Sequence, residues 1–206
     1  MQEEGLYRMI PVRPQIEPAD FDDKVRKPGN AWLRANPGVD PSKYRNFWTA
    51  CLGEMADLYG HTCAYLAIYF DSVYGADSVD HFIPKSDPIN GKKLAYEWGN
   101  YRLCCLGENR KKRTKVPPLD PFDPHMKQDS FFINFADGSI YPNPGYDETY
   151  KQKCWDTIEA LQLDRPNCRK MRKSFFEMYV KDPASYIKYL QKNAPFIYQE
   201  VVRQGL

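Results

Sequence analysis

The sequence predicts an α+β fold, a single domain that is helical in the majority, embeds a strand–strand–helix core and carries one small β-hairpin. Three observations predict it. The chain has 206 residues, 42% hydrophobic and 15% aromatic, enough for one substantial core and too apolar for wholesale disorder. Between Cys63 and Val116 the pattern passes from two-residue alternation to a short helical segment, and residues able to do chemistry gather at the changeover. From Asp147 onward, apolar side chains recur at three- and four-residue steps. There is no internal repeat and no low-complexity tract.

Residues 1–36 read as an irregular, proline-bearing arm with a short helix around Ala19 to Arg26, broken by Pro28-Gly29. Residues 40–60 read as one amphipathic helix. Asp40 is its N-cap and Pro41 its first helical position; Tyr44, Phe47, Trp48, Cys51, Leu52, Met55 and Leu58 form its stripe, and Gly60 ends it. An aromatic stripe of this kind is core more often than an exposed platform for bases.

Residues 63–116 form the predicted strand–strand–helix core. Val79, His81 and Ile83 alternate with Asp80 and Phe82, which predicts a short strand ending at Pro84. Asp87-Pro88 and Asn90-Gly91 mark a loop, Tyr96 to Cys105 a second strand, and Leu106 to Lys115 a basic helix stopped by Pro117-Pro118. Residues 130–142 predict the hairpin, turned at Asp137-Gly138. The remaining residues, 147–206, predict C-terminal helices over Asp147 to Leu163, Asn167 to Val180 and a last pair from Asp182-Pro183 to Gln204.

The net charge of +2 does not mark a nucleic-acid binder, but its distribution does. Lys85 and Arg102, with Lys92 and Lys93, flank the Asp80-His81 pair, and Arg110, Lys112 and Arg113 follow it in a basic run. Such cations suit sequence-independent, salt-sensitive contacts to phosphate. An isolated run is usually a solvated helix face; its place beside Asp80-His81 favours binding here. The apolar stretch from Cys63 to Phe70 is too short to cross a bilayer, and the polar N-terminus is unlike a signal peptide. A cytoplasmic protein with no membrane contact is expected, its six cysteines reduced.

Asn100 and Asn109 are nine residues apart, on nearly opposite faces of any single helix. They converge only if the chain passes from strand to helix between them. Asp80-His81 on a first strand, Asn100 opening a second and Asn109 in the first turn of a helix together resemble the HNH endonucleases, built on a ββα-metal core. The nine-residue step is similar to that of the HNH domains of CRISPR effector nucleases. Phe21 to Arg26, Val79 to Ser86, Ala95 to Leu103 and Leu119 to Phe122 extend the resemblance to a bacterial HNH group that includes the nuclease subunits of Septu-type anti-phage systems.

The resemblance implies a metal-dependent endonuclease hydrolysing DNA phosphodiester bonds as the effector of an antiviral defence system. His81 is the implied general base. Asn100 completes the catalytic pair by holding the loop and the His81 geometry, and Asp80 and Asn109 are the implied ligands of Mg²⁺ or Mn²⁺. Two alternatives stay open: an RNA-cleaving nuclease, and a catalytically silent subunit that keeps the fold for nucleic-acid binding or docking. Each residue alone is more often structural; it is their joint order that favours the nuclease. Many HNH proteins brace the core with two Cys-x-x-Cys pairs, but here Leu66 and Glu108 stand where the partners of Cys63 and Cys105 would be, so no structural zinc is expected. No Gly-rich Lys-Ser/Thr phosphate loop occurs, so an ATPase or other defence-system subunit would be a separate partner.

Overall fold

Eight α-helices and two antiparallel two-stranded sheets make up the described residues, 12–74 and 77–206, of this computed structural model. The fold is α+β and mostly helical, as the patterning predicts. Its contacts group into two compact units. Of the described residues, one holds 14–61 and 70–116; the other holds 12–13, 62–69 and 117–206. The expected N-terminal arm falls in part, at residues 1–11, outside the described residues.

In the first unit the chain is helical well past Pro28-Gly29. A π-turn over Asp22–Arg26 leads into α1 (Lys27–Ala35), with Pro28 in the first turn of α1. Gly29 is there for space: a Cβ would sit 2.3 Å from the ring of Tyr96. The predicted helix over 40–60 is broken. Asp40 caps only a 3₁₀ turn, Pro41–Lys43; a second 3₁₀ turn, Phe47–Cys51, then runs into α2 (Leu52–Leu58). Tertiary packing overrides the local pattern. Tyr44 turns to meet Trp32 edge-on at 6.1 Å, and the Tyr96 hydroxyl donates to the Arg45 carbonyl at 2.8 Å, satisfying the backbone where the helix is interrupted.

β1 (Asp77–His81) and β2 (Tyr101–Cys105) pair antiparallel, with Asp80 opposite Arg102 and His81 opposite Tyr101. The second strand is shorter than the pattern suggested: α3 (Gly91–Leu94) occupies the loop before it, and a turn followed by a 3₁₀ turn, Trp98–Asn100, takes up the N-terminal half of the predicted strand. β2 passes without a loop into α4 (Leu106–Lys112), which packs on both strands. Phe21 is fully buried against the edges of Trp98 (5.4 Å) and Tyr101 (5.8 Å), while Arg26 donates to Glu97 at 2.8 Å, so the helical N-terminal segment buttresses the turn between α3 and β2.

The second unit holds the predicted hairpin, β3 (Phe131–Asn134) and β4 (Ser139–Pro142), and the helices α5 (Glu148–Leu161), α6 (Pro166–Lys181), α7 (Pro183–Asn193) and α8 (Pro195–Gln204). Asp147 and Asp182 cap α5 and α7 through their side chains. Buried Arg172 of α6 donates to the carbonyls of Gly138 (2.6 Å) and Leu163 (2.9 Å). Glu200 and Gln204 of α8 bond the N–H and carbonyl of Ile133, closing an edge that would otherwise be open to another strand.

Candidate active site

A cleft of about 300 Å³ in the first unit is lined by Asp80, His81, Lys85, Asn109 and Arg113, among others. Strand and helix each deliver part of it. On α4, Asn109 and Lys112 are three residues apart and so share a face, and that face meets β1. The Asn109 amide nitrogen donates to Ser78 Oγ (2.5 Å) and the Val79 carbonyl (3.1 Å), so Oδ1 takes part in neither bond, and the residue lines the cleft. Lys112 Nζ lies 3.0 Å from Asp80 Oδ2, 3.3 Å from Oδ1 and 2.9 Å from the His81 carbonyl.

His81 is 8% exposed, and its Nε2 lies 2.8 Å from the Ala95 carbonyl. A carbonyl only accepts, so Nε2 carries the proton and Nδ1 the lone pair. The Tyr101 hydroxyl donates to the same carbonyl at 3.0 Å, and its ring stands edge-on to the imidazole at 5.0 Å, fixing the ring plane. Burial lowers the His81 pKa to about 4, with the positive charges of Lys85 and Lys112 adding to the shift and the Ala95 bond opposing it. The imidazole is therefore neutral at physiological pH, a hydrogen-bond acceptor at Nδ1.

Asn100 is buried, and its amide works as a surrogate strand partner for the segment leaving β1. Oδ1 accepts from Ile83 N–H at 2.8 Å; Nδ2 donates to the carbonyls of Ile83 (3.0 Å) and Leu94 (3.1 Å). The bends that follow His81 and precede Trp98 are thereby tied together, and both atoms of the amide are committed to backbone.

The five cations proposed from sequence divide. Arg110 and Arg113 are exposed and Lys85 is half-buried, its pKa lowered by desolvation; Lys85 and Arg113 line the cleft. Arg102 and Lys112 are not on that surface. Arg102 is 3% exposed, donates to the carbonyls of Gly99 and Tyr101, both at 2.8 Å, and lies over the Phe82 ring, because strand pairing sets it opposite Asp80 inside the fold. Lys112 is 0% exposed on the inner face of α4. Arg34, Lys92 and Lys93 line a second groove of about 430 Å³ with exposed Ile89 at its edge. Sequence reasoning missed the Ala95 carbonyl and set Lys112 among the phosphate contacts, where the structure sets its ammonium against Asp80. The three-residue step from Asn109 to Lys112 was the available signal for the second; a backbone acceptor leaves none.

No family model matches the chain. It is 28% identical over 181 residues, 84% of either chain, to a protein of Vibrio cholerae serotype O1 biovar El Tor named "Retron Vc95 putative HNH endonuclease". The likeness supports the HNH endonuclease family and suggests a nuclease. It does not bear on the Septu-type subgroup. Among the described residues, no helix is long and apolar enough to cross a membrane.

Proposed function

We propose that this protein is an HNH endonuclease that hydrolyses DNA phosphodiester bonds with Mg²⁺ or Mn²⁺, acting as the nuclease effector of an antiviral defence system. The observation that carries the reading is the meeting, in one cleft, of a neutral imidazole of fixed tautomer with the oxygen donors of Asp80 and Asn109. Asp80 and Asn109 offer only oxygen, which suits a hard divalent cation, and the Lys112 ammonium on Asp80 marks a position built to hold positive charge. Asp80 and Asn109 are the residues that would hold the metal. When bound, such a cation stabilises the charge that develops on the phosphoryl group and the departing 3′ oxygen.

The chain's own groups supply the rest. His81 Nδ1 accepts the proton of the attacking water, a contribution typically worth about 10²–10⁴-fold. The Ala95 carbonyl and Tyr101 hold the imidazole for that transfer, and Asn100 holds the backbone on either side. Lys85 and Arg113 contact the phosphate from the cleft walls; Arg110, with Arg34, Lys92 and Lys93, extends the basic surface along the backbone. A separate ATPase or other defence-system subunit would supply whatever activation the chain lacks.

Supercoiled plasmid and a matching RNA, incubated with purified protein and Mg²⁺, Mn²⁺ or EDTA, test this. Nicking of the plasmid that requires metal, and falls at least about 10²-fold in His81→Ala, is the expected result. Cleavage of RNA alone would reassign the substrate. Undiminished cleavage by His81→Ala would remove the assigned base.

A further inference from the structure

Lys112 is the most deeply buried cation at the site, at 0% exposure, and it lies against a carboxylate that is itself 2% exposed. An ammonium has three donors and no acceptor, so burying it is tolerable only where oxygens meet those donors. Here they do. The two Asp80 oxygens stand at 3.0 and 3.3 Å and the His81 carbonyl at 2.9 Å, with the Phe82 ring face 5.9 Å away. One helical turn earlier, Asn109 is anchored to Ser78 and Val79. A single face of α4 thus ties an amide to β1 at Ser78 and Val79 and sets an ammonium against the Asp80 carboxylate.

We propose that Lys112 is the internal counter-cation of Asp80: it orients and neutralises this carboxylate when no metal is bound, and it weakens metal binding by competing for the same oxygens. The inference rests on the reading of Asp80 as a metal ligand. It makes two consequences follow from one contact. The fold tolerates the buried carboxylate without metal, and the cation affinity of the site is lower than Asp80 and Asn109 alone would give. The sequence reading of Lys112 as a phosphate contact is replaced by a positioning role.

The test uses the full chain and reads binding and melting, not cleavage. Mn²⁺ is the probe: its affinity is taken from the electron paramagnetic resonance signal of the free ion, and thermal midpoints are measured in EDTA and in Mn²⁺. Lys112→Met should melt about 10 °C below wild type in EDTA, since it strands a buried carboxylate, and Mn²⁺ should recover most of that loss. Its Mn²⁺ affinity should exceed that of wild type by at least about tenfold, a like charge having been removed from contact with the site. The Asp80→Asn/Lys112→Met double variant should regain metal-free stability and lose the Mn²⁺ response. This holds even where Lys112→Met is unfolded in EDTA.

Equal or weaker Mn²⁺ binding by Lys112→Met overturns the proposal, as does a double variant no more stable in EDTA than Lys112→Met. If Asp80→Asn alone leaves Mn²⁺ binding intact, or if no variant binds Mn²⁺, the metal-ligand reading of Asp80 fails, and the proposal fails with it.

Discussion

His81 titrates near 4 because burial disfavours its charged form, and the direction of that shift sets how stability responds to acid. Between the ordinary value of 6.5 and the folded value of about 4, the unfolded chain takes up a proton that the folded chain refuses. The contribution of His81 is therefore fully present above about pH 6.5 and is lost as pH falls toward 4, an upper bound of about 3 kcal/mol. Urea unfolding at pH 7 and pH 4.5 should show wild type losing about 2–3 kcal/mol more than His81→Gln. Matching losses would mean that the imidazole is not held neutral. At this scale the sequence was informative where backbone geometry alone places a side chain. Strand order and a helical turn bring Asp80, His81 and Asn109 to one cleft. It was uninformative about what neutralises Asp80, since spacing cannot distinguish a cation that faces solvent from one that faces a carboxylate.

Among the elements, α4 shows this limit most clearly. Arg110 to Arg113 read as one basic run, yet a helix advances about 100° per residue, so Lys112 turns inward while Arg110 and Arg113 stay exposed. The two kinds of cation should respond differently to removal. Arg110→Ser and Arg113→Ser should each reduce the salt dependence of duplex binding by about 0.9 in the slope of log K against log salt, measured by fluorescence anisotropy in a His81→Ala background. Arg102→Met should leave that slope unchanged and lower stability by about 2 kcal/mol, because three peptide and ring partners lose their donor. A slope change in Arg102→Met, or none in the other two, would reverse the assignment. The same competition between local pattern and tertiary contact divides residues 40–60. Apolar spacing there is helical throughout, but the contacts of Tyr44 with Trp32 and of Arg45 with Tyr96 favour a broken path. The hairpin and the C-terminal helices were legible because Asp-Gly, Asp147 and Asp182-Pro183 specify their ends locally.

Over the whole molecule, the grouping into two units is discontinuous in sequence, which is why no linker composition marks it. The segment Thr62–Tyr69 leaves the site-bearing unit and belongs with the C-terminal helices, where Tyr69 N–H donates to the Asn193 carbonyl at 2.8 Å. A composition scan reads such a chain as one domain, since each unit is completed by pieces far apart in sequence. The partition has a physical consequence in unfolding. Trp32, Trp48 and Trp98 lie in the site-bearing unit, and Trp155, nearly half exposed, in the other. Trp155→Phe therefore confines tryptophan fluorescence to the site-bearing unit, while far-ultraviolet circular dichroism is dominated by α5 to α8. In that background, Arg172→Met leaves the carbonyls of Gly138 and Leu163 without their buried donor, a loss of about 2–3 kcal/mol. The dichroism midpoint should fall, and the fluorescence midpoint should hold. If both midpoints fall together, the two units unfold as one cooperative structure, and a lesion in the other unit would then affect His81 and Asp80 through global stability.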